Sequence, residues 1–593
     1  MSGQRRERLW KIAGITTGTL LLLIFFLFSY PFRGRPFNGQ RHGNPPLTPA
    51  WALECWLWED DDNTATRVDE LLEGYAAHDI PVRTILLDSP WSLRYNDFRV
   101  DEERYPEPER WFGKLQDSGY RVVLWMTPMV NSQNDDTGIE DSESWYQVAR
   151  DSNYLAGKGA RIDWWKGTGG FIDYTNPEAV NWWHGLQQNL LDYGIDGWKL
   201  DGSATLFHSK AGPLPLPYMR TYKGVTTTRQ YMDLYYRKEY QHGLEQNPEF
   251  VTLSRSIDRG FHPEGFAPID ASPVNWVGDQ KHHWSAGSQD KEGESRQKDI
   301  ALRGIEGFES AIESILESAK LGYSVVGSDI AGFSGDSIPS RLYIRWAQFS
   351  TFCGLFLNGG HGERALWKRS SRELEIIREY AWLHTELVPY IYSAVAEAHL
   401  GGAVLQRPIR GKYQYMFGDH LLVAPIYRDE LKREVLLPAG KWRYWFDYRE
   451  VINGPVQFER EFPMDEYPVY IREGAIIPMH IERSYTGIGD EHSKGFLTLR
   501  IYPSGKSSYT LHHPGNEERT EIFVNETETS IEVTINGLKK PHILNLHCPS
   551  APKEVTLDQR ILNDPEVYYF DTEKEMVVIR TDAYTTGKYT ISK

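Results

Sequence analysis

The chain is short of cysteine. Cys55, Cys353 and Cys548 are its three, and none stands in a C-x-x-C pair. That leaves neither a zinc site nor a disulfide framework to read; Cys55 and Cys353 sit in apolar runs as small hydrophobes. No glycine-rich phosphate-cradling loop occurs, so the usual mark of nucleotide binding is missing. Basic charge is in deficit, with 65 Lys and Arg against 82 Asp and Glu and a net charge of −17. Such a surface repels phosphate backbones, so nucleic acid is not an expected partner, nor does it suit docking on an anionic membrane face.

Aromatic residues are plentiful, with 20 Trp and 34 Tyr. Their ring faces suit the C–H-lined faces of pyranoses and equally suit large cores, and composition leaves both open. At 593 residues, roughly three or four domains are expected. The N-terminus carries one long apolar run. Arg5, Arg6, Arg8 and Lys11 precede a stretch over 12–30, near the ~20 residues that cross a bilayer. The basic residues place segment 1–11 in the cytoplasm and the rest of the chain outside, a single-pass type II arrangement. A cleaved signal peptide, giving a secreted protein, is the alternative. The run ends in Phe-Leu-Phe-Ser-Tyr-Pro, without the small residues of a cleavage site, which favours a transmembrane anchor over 12–30. A Gly/Pro/Asn linker follows over 31–50.

Beyond Trp51, short apolar runs alternate with amphipathic helical stretches such as 301–320. The runs are 51–58, 82–87, 122–126, 198–200, 250–253, 274–277, 324–327 and 354–357. Eight such units predict an α/β fold, a closed (β/α)₈ TIM barrel over 51–395. Working residues of such barrels sit just past the strand ends. Here those positions hold Glu59 and Asp60, Asp88, Thr127, Asp201, Arg255, Asp279, Asp329 and His361. One polar residue in a βα loop means little; the coincidence over all runs but the third is the signal. Two long connections, about 128–175 and 203–248, are expected to shape the pocket rim. From about residue 400 the pattern changes to short alternating strands, punctuated by Gly440 and Gly474. These predict two C-terminal β-sandwich domains, 396–484 and 485–593. Asn525-Glu526-Thr527 matches a glycosylation acceptor, a short and weak pattern.

Several motifs then occur in order: Leu-Leu-Asp88-Ser-Pro-Trp, Gly119 to Trp125, Asp173-Tyr-Thr-Asn-Pro177, Asp196-Gly-Trp-Lys-Leu-Asp201, Leu253-Ser-Arg255-Ser, Trp276-Val-Gly-Asp279 and Gly327-Ser-Asp329-Ile-Ala-Gly-Phe333. Gln414 to Asp419 and Leu437 to Trp442 continue the series beyond the barrel. Together they resemble glycoside hydrolase family 31 from about Trp51 to Phe570. The resemblance implies a retaining exo-α-glycosidase needing no metal or organic cofactor and acting on a carbohydrate. By it, Asp201 matches the nucleophile and Asp279 the acid/base. Asp88, Arg255, Asp329 and His361 match residues that hold the non-reducing sugar, Trp276 and Phe333 match aromatic walls, and Trp125 and Lys199 join the substrate-binding set.

The chemistry supports those roles independently. Glycoside cleavage passes through an oxocarbenium-like state, with one carboxylate attacking the anomeric carbon while a protonated one feeds the leaving oxygen. Retention needs the two groups about 5–5.5 Å apart, a spacing expected of the fourth and sixth strand ends of one barrel. Arg255 at the intervening strand is expected to keep the nucleophile ionised, and Trp276 to give the acid a less polar setting. Asp88 and Asp329 are suited to accept hydrogen bonds from sugar hydroxyls, which discriminate steeply when buried. Blander readings stand beside these: Asp88 as a helix N-cap, Arg255 as an internal ion pair, Asp329 as a turn residue, His361 as an ordinary loop histidine.

Three departures from the family pattern matter. Only the apolar run and linker precede Trp51, where the family carries a β-sandwich whose loop helps wall the pocket. That leaves a barrel edge open to a second copy of the chain or another partner. Gly202-Ser203-Ala204 follows the nucleophile where common α-glucosidases have Met-Asn-Glu, and Lys199 is similar to members acting on other sugars, so glucose, galactose and xylose all stay open. The stretch between Arg407-Pro408 and Gln414 is shorter than usual, and segment 362–367 matches its counterpart only loosely. A transglycosidase, an α-glucan lyase and a non-catalytic membrane-anchored glycan-binding protein are the alternatives.

Overall fold

A computed structural model of the chain describes residues 10–24, 39–136, 138–140, 142–202, 206–211, 214–258, 262–284 and 307–593. Its centre is an eight-stranded parallel sheet: β1 (Cys55–Leu57), β2 (Thr84–Leu87), β3 (Arg121–Met126), β4 (Gly197–Leu200), β5 (Val251–Arg255), β6 (Val274–Trp276), β7 (Val326–Gly327) and β8 (Phe356–Asn358). Neighbours pair in sequence order, and β1 also pairs with β8. The remaining seam, between β7 and β8, is drawn together just past β7. There Ile330 N–H donates to Leu357 O at 2.9 Å, beside a parallel bridge between Asp329 and Leu357. Each expected run thus holds one barrel strand. The strands are buried on both faces, which is why they read as unbroken apolar runs.

Helices pack the outside through one apolar stripe. Helix Phe308–Leu321 buries Phe308, Ile312, Ile315, Leu316 and Ala319 and ends at Gly322, whose φ of 110° permits the left-handed cap. It is the described part of the stretch expected over 301–320.

The connection after β3 forms its own three-stranded antiparallel sheet, Met129–Asn134, Gly167–Phe171 and Ile162–Trp164. Its last turn carries Trp165 and Lys166 to the barrel mouth. After the barrel come a six-stranded antiparallel sheet within 406–472 and a nine-stranded sheet within 476–592. The second begins earlier than the expected boundary at 485, because strand Ile476–Met479 pairs with Leu497–Ile501. That strand is buried along its length: Ile476 faces the distal core while Ile477 and Met479 face the main one.

The expected transmembrane helix over 12–30 is not shown. The described helix covers 10–24, and among the described residues no helix is long and apolar enough to cross a membrane; 25–38 lie outside them. Residues 39–49, expected as linker, pack on the barrel. Arg41 ion-pairs with Asp233 at 2.5 Å, and Thr48 donates to Pro273 O at 2.6 Å.

Candidate active site

A cavity of about 650 Å³ opens at the C-terminal end of the strands, where Asp88, Lys199, Asp201, Arg255, Asp279 and His361 converge. Arg255, ending β5, holds the centre. Its Nη2 lies 3.9 Å from Asp201 Oδ1 and 3.5 Å from Asp279 Oδ2, so one nitrogen faces both carboxylates. Gly278 makes room for this: a side-chain carbon there would meet Arg255 Nη1 at 2.3 Å. The guanidinium sits 4.9 Å over the Trp276 ring, a cation–π contact that favours the buried cation.

Asp201 also accepts from Trp125 Nε1 at 3.2 Å and from Gly202 N–H at 2.8 Å. Burial pushes its carboxyl above the ordinary value; Arg255 pulls it down and Asp279 adds repulsion. The expectation that Arg255 keeps this carboxyl low is thereby corrected: removing the carboxylate from water outweighs the cation.

Beside this centre lies a second buried pair. Lys199 Nζ is 2.6 Å from Asp88 Oδ2 and stands over the rings of Trp58 at 4.4 Å and Trp276 at 5.3 Å. Burial alone would lower the ammonium, but the carboxylates of Asp88, Asp329, Asp201 and Asp279 outweigh it and hold it above its ordinary value. Asp88 accepts from Ser89 N–H at 2.8 Å through its other oxygen, so it is engaged before any ligand arrives.

Asp329 is the contrast. It is 1% exposed and neither carboxylate oxygen has a hydrogen-bond partner. Burial pushes its carboxyl up to about 8, against the pull of Lys199. A buried carboxyl left without donors is costly, and incoming hydroxyls would satisfy it.

The expected residues do not all reach the cavity alike. Trp276 is 1% exposed and acts through Arg255 and Lys199. Phe333 lines the cavity and stacks on Trp58 at 5.9 Å. His361 is at the rim, with Nε2 3.2 Å from Asp60 Oδ2 and Nδ1 2.9 Å from Asp61 Oδ1. Burial, reinforced by Asp88, pushes the Asp60 carboxyl up to about 7.

Sequence reasoning gave no role to Asp61, Asp136, Trp165 or Lys166, all of which line the cavity. Lys166 Nζ meets Asp136 Oδ2 at 2.9 Å, and Tyr95 donates to the same oxygen. The available signals were the Asp60-Asp61-Asp62 run after the first strand and the Trp164-Trp165 doublet inside a long connection. Among the described residues no group of three or more His, Cys, Asp or Glu could hold a metal ion.

Comparison with known proteins places the architecture. The chain is 23% identical over 612 aligned residues to an isomaltosyltransferase of Sporosarcina globispora, covering 91% of this chain and 52% of that one. It is 26% identical to an alpha-xylosidase of Emericella nidulans, covering 74% and 54%. The chain thus spans about half the length of these curated relatives. A solved Flavobacterium johnsoniae GH31 dextranase mutant, complexed with isomaltotriose, superposes with a TM-score of 0.79 at 21% identity, covering 93% of this chain and 72% of that one; at that identity the likeness speaks for the fold. The family description "Glycosyl hydrolases family 31 TIM-barrel domain" matches residues 45–292 and 298–394, and "Glycosyl hydrolase family 31 C-terminal domain" matches 404–477. On these matches, which cover the barrel and the sheet behind it, the chain belongs to glycoside hydrolase family 31.

Proposed function

We propose that the protein is a retaining exo-α-glycosidase that removes a terminal α-linked sugar by double displacement. The observation that carries this reading is the single Arg255 nitrogen facing both Asp201 and Asp279 from adjoining strand ends. Asp201 attacks the anomeric carbon and forms a glycosyl-enzyme. Asp279, the more exposed of the two, protonates the departing oxygen and then deprotonates the incoming water. As the charge of Asp201 is consumed in the ester, Asp279 becomes the carboxylate, and the shared Arg255 nitrogen faces the negative charge at either position. Asp329 and Asp88 hold the sugar's hydroxyls.

The test is turnover of α-glucosyl, α-galactosyl and α-xylosyl fluorides and the matching p-nitrophenyl α-glycosides, with proton NMR of the first-formed sugar. Wild type should release the α-anomer of one sugar, and Asp201→Ala should lower kcat on the order of 10⁴-fold. Release of the β-anomer, or no turnover by folded protein, would sink the reading. A cavity of about 650 Å³ has room for an acceptor sugar beside the cleaved one, and one relative is named an isomaltosyltransferase. Transfer to sugar in place of water is therefore the second reading, visible as longer products.

We also propose that the apolar N-terminal run anchors the protein to a membrane with the catalytic domain outside the cytoplasm. The support is the basic segment ahead of that run and the exposed apolar side chains of its described part. Carbonate extraction of the full chain decides it: release into the supernatant would overturn the anchor.

A further inference from the structure

Arg500 stands apart from the other buried arginines. Arg41, Arg345, Arg364, Arg433 and Arg443 each donate to a carboxylate or a backbone carbonyl. Arg500 lies on strand Leu497–Ile501 of the nine-stranded sheet and is 4% exposed. Its Nε is buried without a hydrogen-bond partner, and among the described residues no carboxylate pairs with its guanidinium. Three rings surround it instead, Trp445 at 4.8 Å, Tyr448 at 5.0 Å and Tyr502 at 5.4 Å. Ring faces offset the charge, but a guanidinium also carries five N–H donors in its own plane, and these call for lone-pair acceptors.

The arginine lines a cavity of about 220 Å³, where helix Ser371–Glu386, the turn after strand Lys432–Tyr444 and the nine-stranded sheet meet. This cavity shares no lining residue with the active site. A second cation faces it: Lys574 Nζ donates to Gly487 O at 2.9 Å, which leaves two of its three donors for another acceptor. Glu379 faces it from the helix, yet no ion pair joins it to either cation. Burial, with the repulsion of Asp465, pushes the Glu379 carboxyl up to about 7, so near neutral pH it is only partly charged and leaves Arg500 uncompensated. The excess of positive charge is felt at His547, which stacks on Tyr502 at 6.0 Å. Burial, then the charges of Arg443 and Arg500, push that ring down to about 3. Leu383, Phe446, Ile488 and Met576 complete the walls.

We infer that this cavity binds a small hydroxylated organic acid, of the size and chemistry of a hexuronate, with its carboxylate on the Arg500 guanidinium. The planar fork matches a carboxylate in a way that a point charge does not. Lys574 and Glu379 are placed to meet hydroxyls, and the apolar walls take the body of the ligand. Drug-sized ligands occupy roughly 300–1,000 Å³, so the smaller volume limits the occupant to about one sugar ring. A buried cation without a partner is costly, and the carboxylate would supply the charge and the acceptors that the chain leaves out.

Calorimetry on the full chain tests this with D-glucuronate and D-galacturonate, beside glucose, galactose, benzoate and inorganic phosphate. At least one uronate should bind more tightly than its neutral sugar, benzoate and phosphate. Arg500→Lys keeps the charge and loses the fork, and should weaken that uronate roughly tenfold. Lys574 is exposed, so Lys574→Ala spares the core; it should weaken the uronate about threefold. Neither change should alter the binding of glucose or galactose. Melting curves report whether Arg500→Lys folds, and if it does not, Lys574→Ala decides alone. A uronate that binds wild type and the folded variants equally sits elsewhere, and the inference fails. It fails also if neither uronate binds below about 10 mM, or if phosphate or benzoate binds as tightly with the same dependence on these two residues.

Discussion

The floor of the cavity and its rim are built in opposite ways. On the floor, Lys199–Asp88 and Arg255 with Asp201 are buried charges at strand ends, and each is set against another charge or an aromatic ring. At the rim, His361–Asp61 and Lys166–Asp136 are partly solvated pairs on loops. Coulomb attraction is several times stronger where water is excluded, and so is the penalty for an unpaired charge. The floor should therefore fail when one partner is removed, whereas the rim should tolerate it.

The largest break expected in that comparison is at Arg255. Arg255→Leu leaves two carboxylates facing each other without their shared cation. It should cost about 3 kcal/mol of stability, read by urea denaturation. It should also push the Asp201 carboxyl further up, moving the acidic limb of the activity profile to higher pH. An unchanged midpoint and profile would mean solvent already screens the pair. Next comes Lys199–Asp88. Single changes Lys199→Met and Asp88→Asn should each cost about 2 kcal/mol, but together should cost much less than their sum, since the second removes the charge the first stranded. Additive losses in a double-mutant cycle would show the two do not act as a pair.

The same contrast explains what could be read from the sequence. The strand ends were legible because a strand buried on both faces is an apolar run, and the residue that breaks it is at the mouth. Asp88, Asp201, Arg255, Asp279 and Asp329 all come from that rule. The rim was not legible. Trp165 and Lys166 reach the cavity because a three-stranded sheet folds 128–175 back over the mouth, and no local periodicity encodes where such an excursion lands. The boundary between the two C-terminal sheets escaped for a related reason: Ile476–Met479 is apolar on both faces because each meets a different core, so no alternation marked it. The balance at Asp201 was misjudged because neighbouring charges can be read from a sequence while depth of burial cannot.

A smaller effect, with an opposite sign from the usual carboxylate, sharpens the comparison at Asp329. Its carboxyl titrates at about 8 in the folded chain and near 4 when unfolded. Between those values the folded state binds the extra proton, so stability falls as pH rises from about 4 to about 8. Asp329→Asn keeps the shape and cannot ionise. Its Tm relative to wild type should therefore climb across that window, by the equivalent of a few kcal/mol at most, while sugar binding weakens. A Tm difference independent of pH would mean the carboxylate is compensated in the free protein.

The smallest effect belongs to the rim. Asp61 is 54% exposed, and its carboxyl faces His361 Nδ1 and the Gly362 N–H. Burial is the largest single influence and raises that carboxyl, but the hydrogen bonds from His361 and the Gly362 amide, with the charge of His361, together bring it below its ordinary value. A depressed carboxylate contributes stability above its unfolded pKa and loses it as pH falls, yet at this exposure solvent screening takes most of the gain. Asp61→Asn should change stability by less than about 1 kcal/mol, and the difference should shrink further between 0.05 M and about 0.5 M salt. Lys199→Met measured alongside should be nearly insensitive to salt, because ions do not reach the floor. If the two variants respond to salt alike, floor and rim share one dielectric environment and the division between them fails.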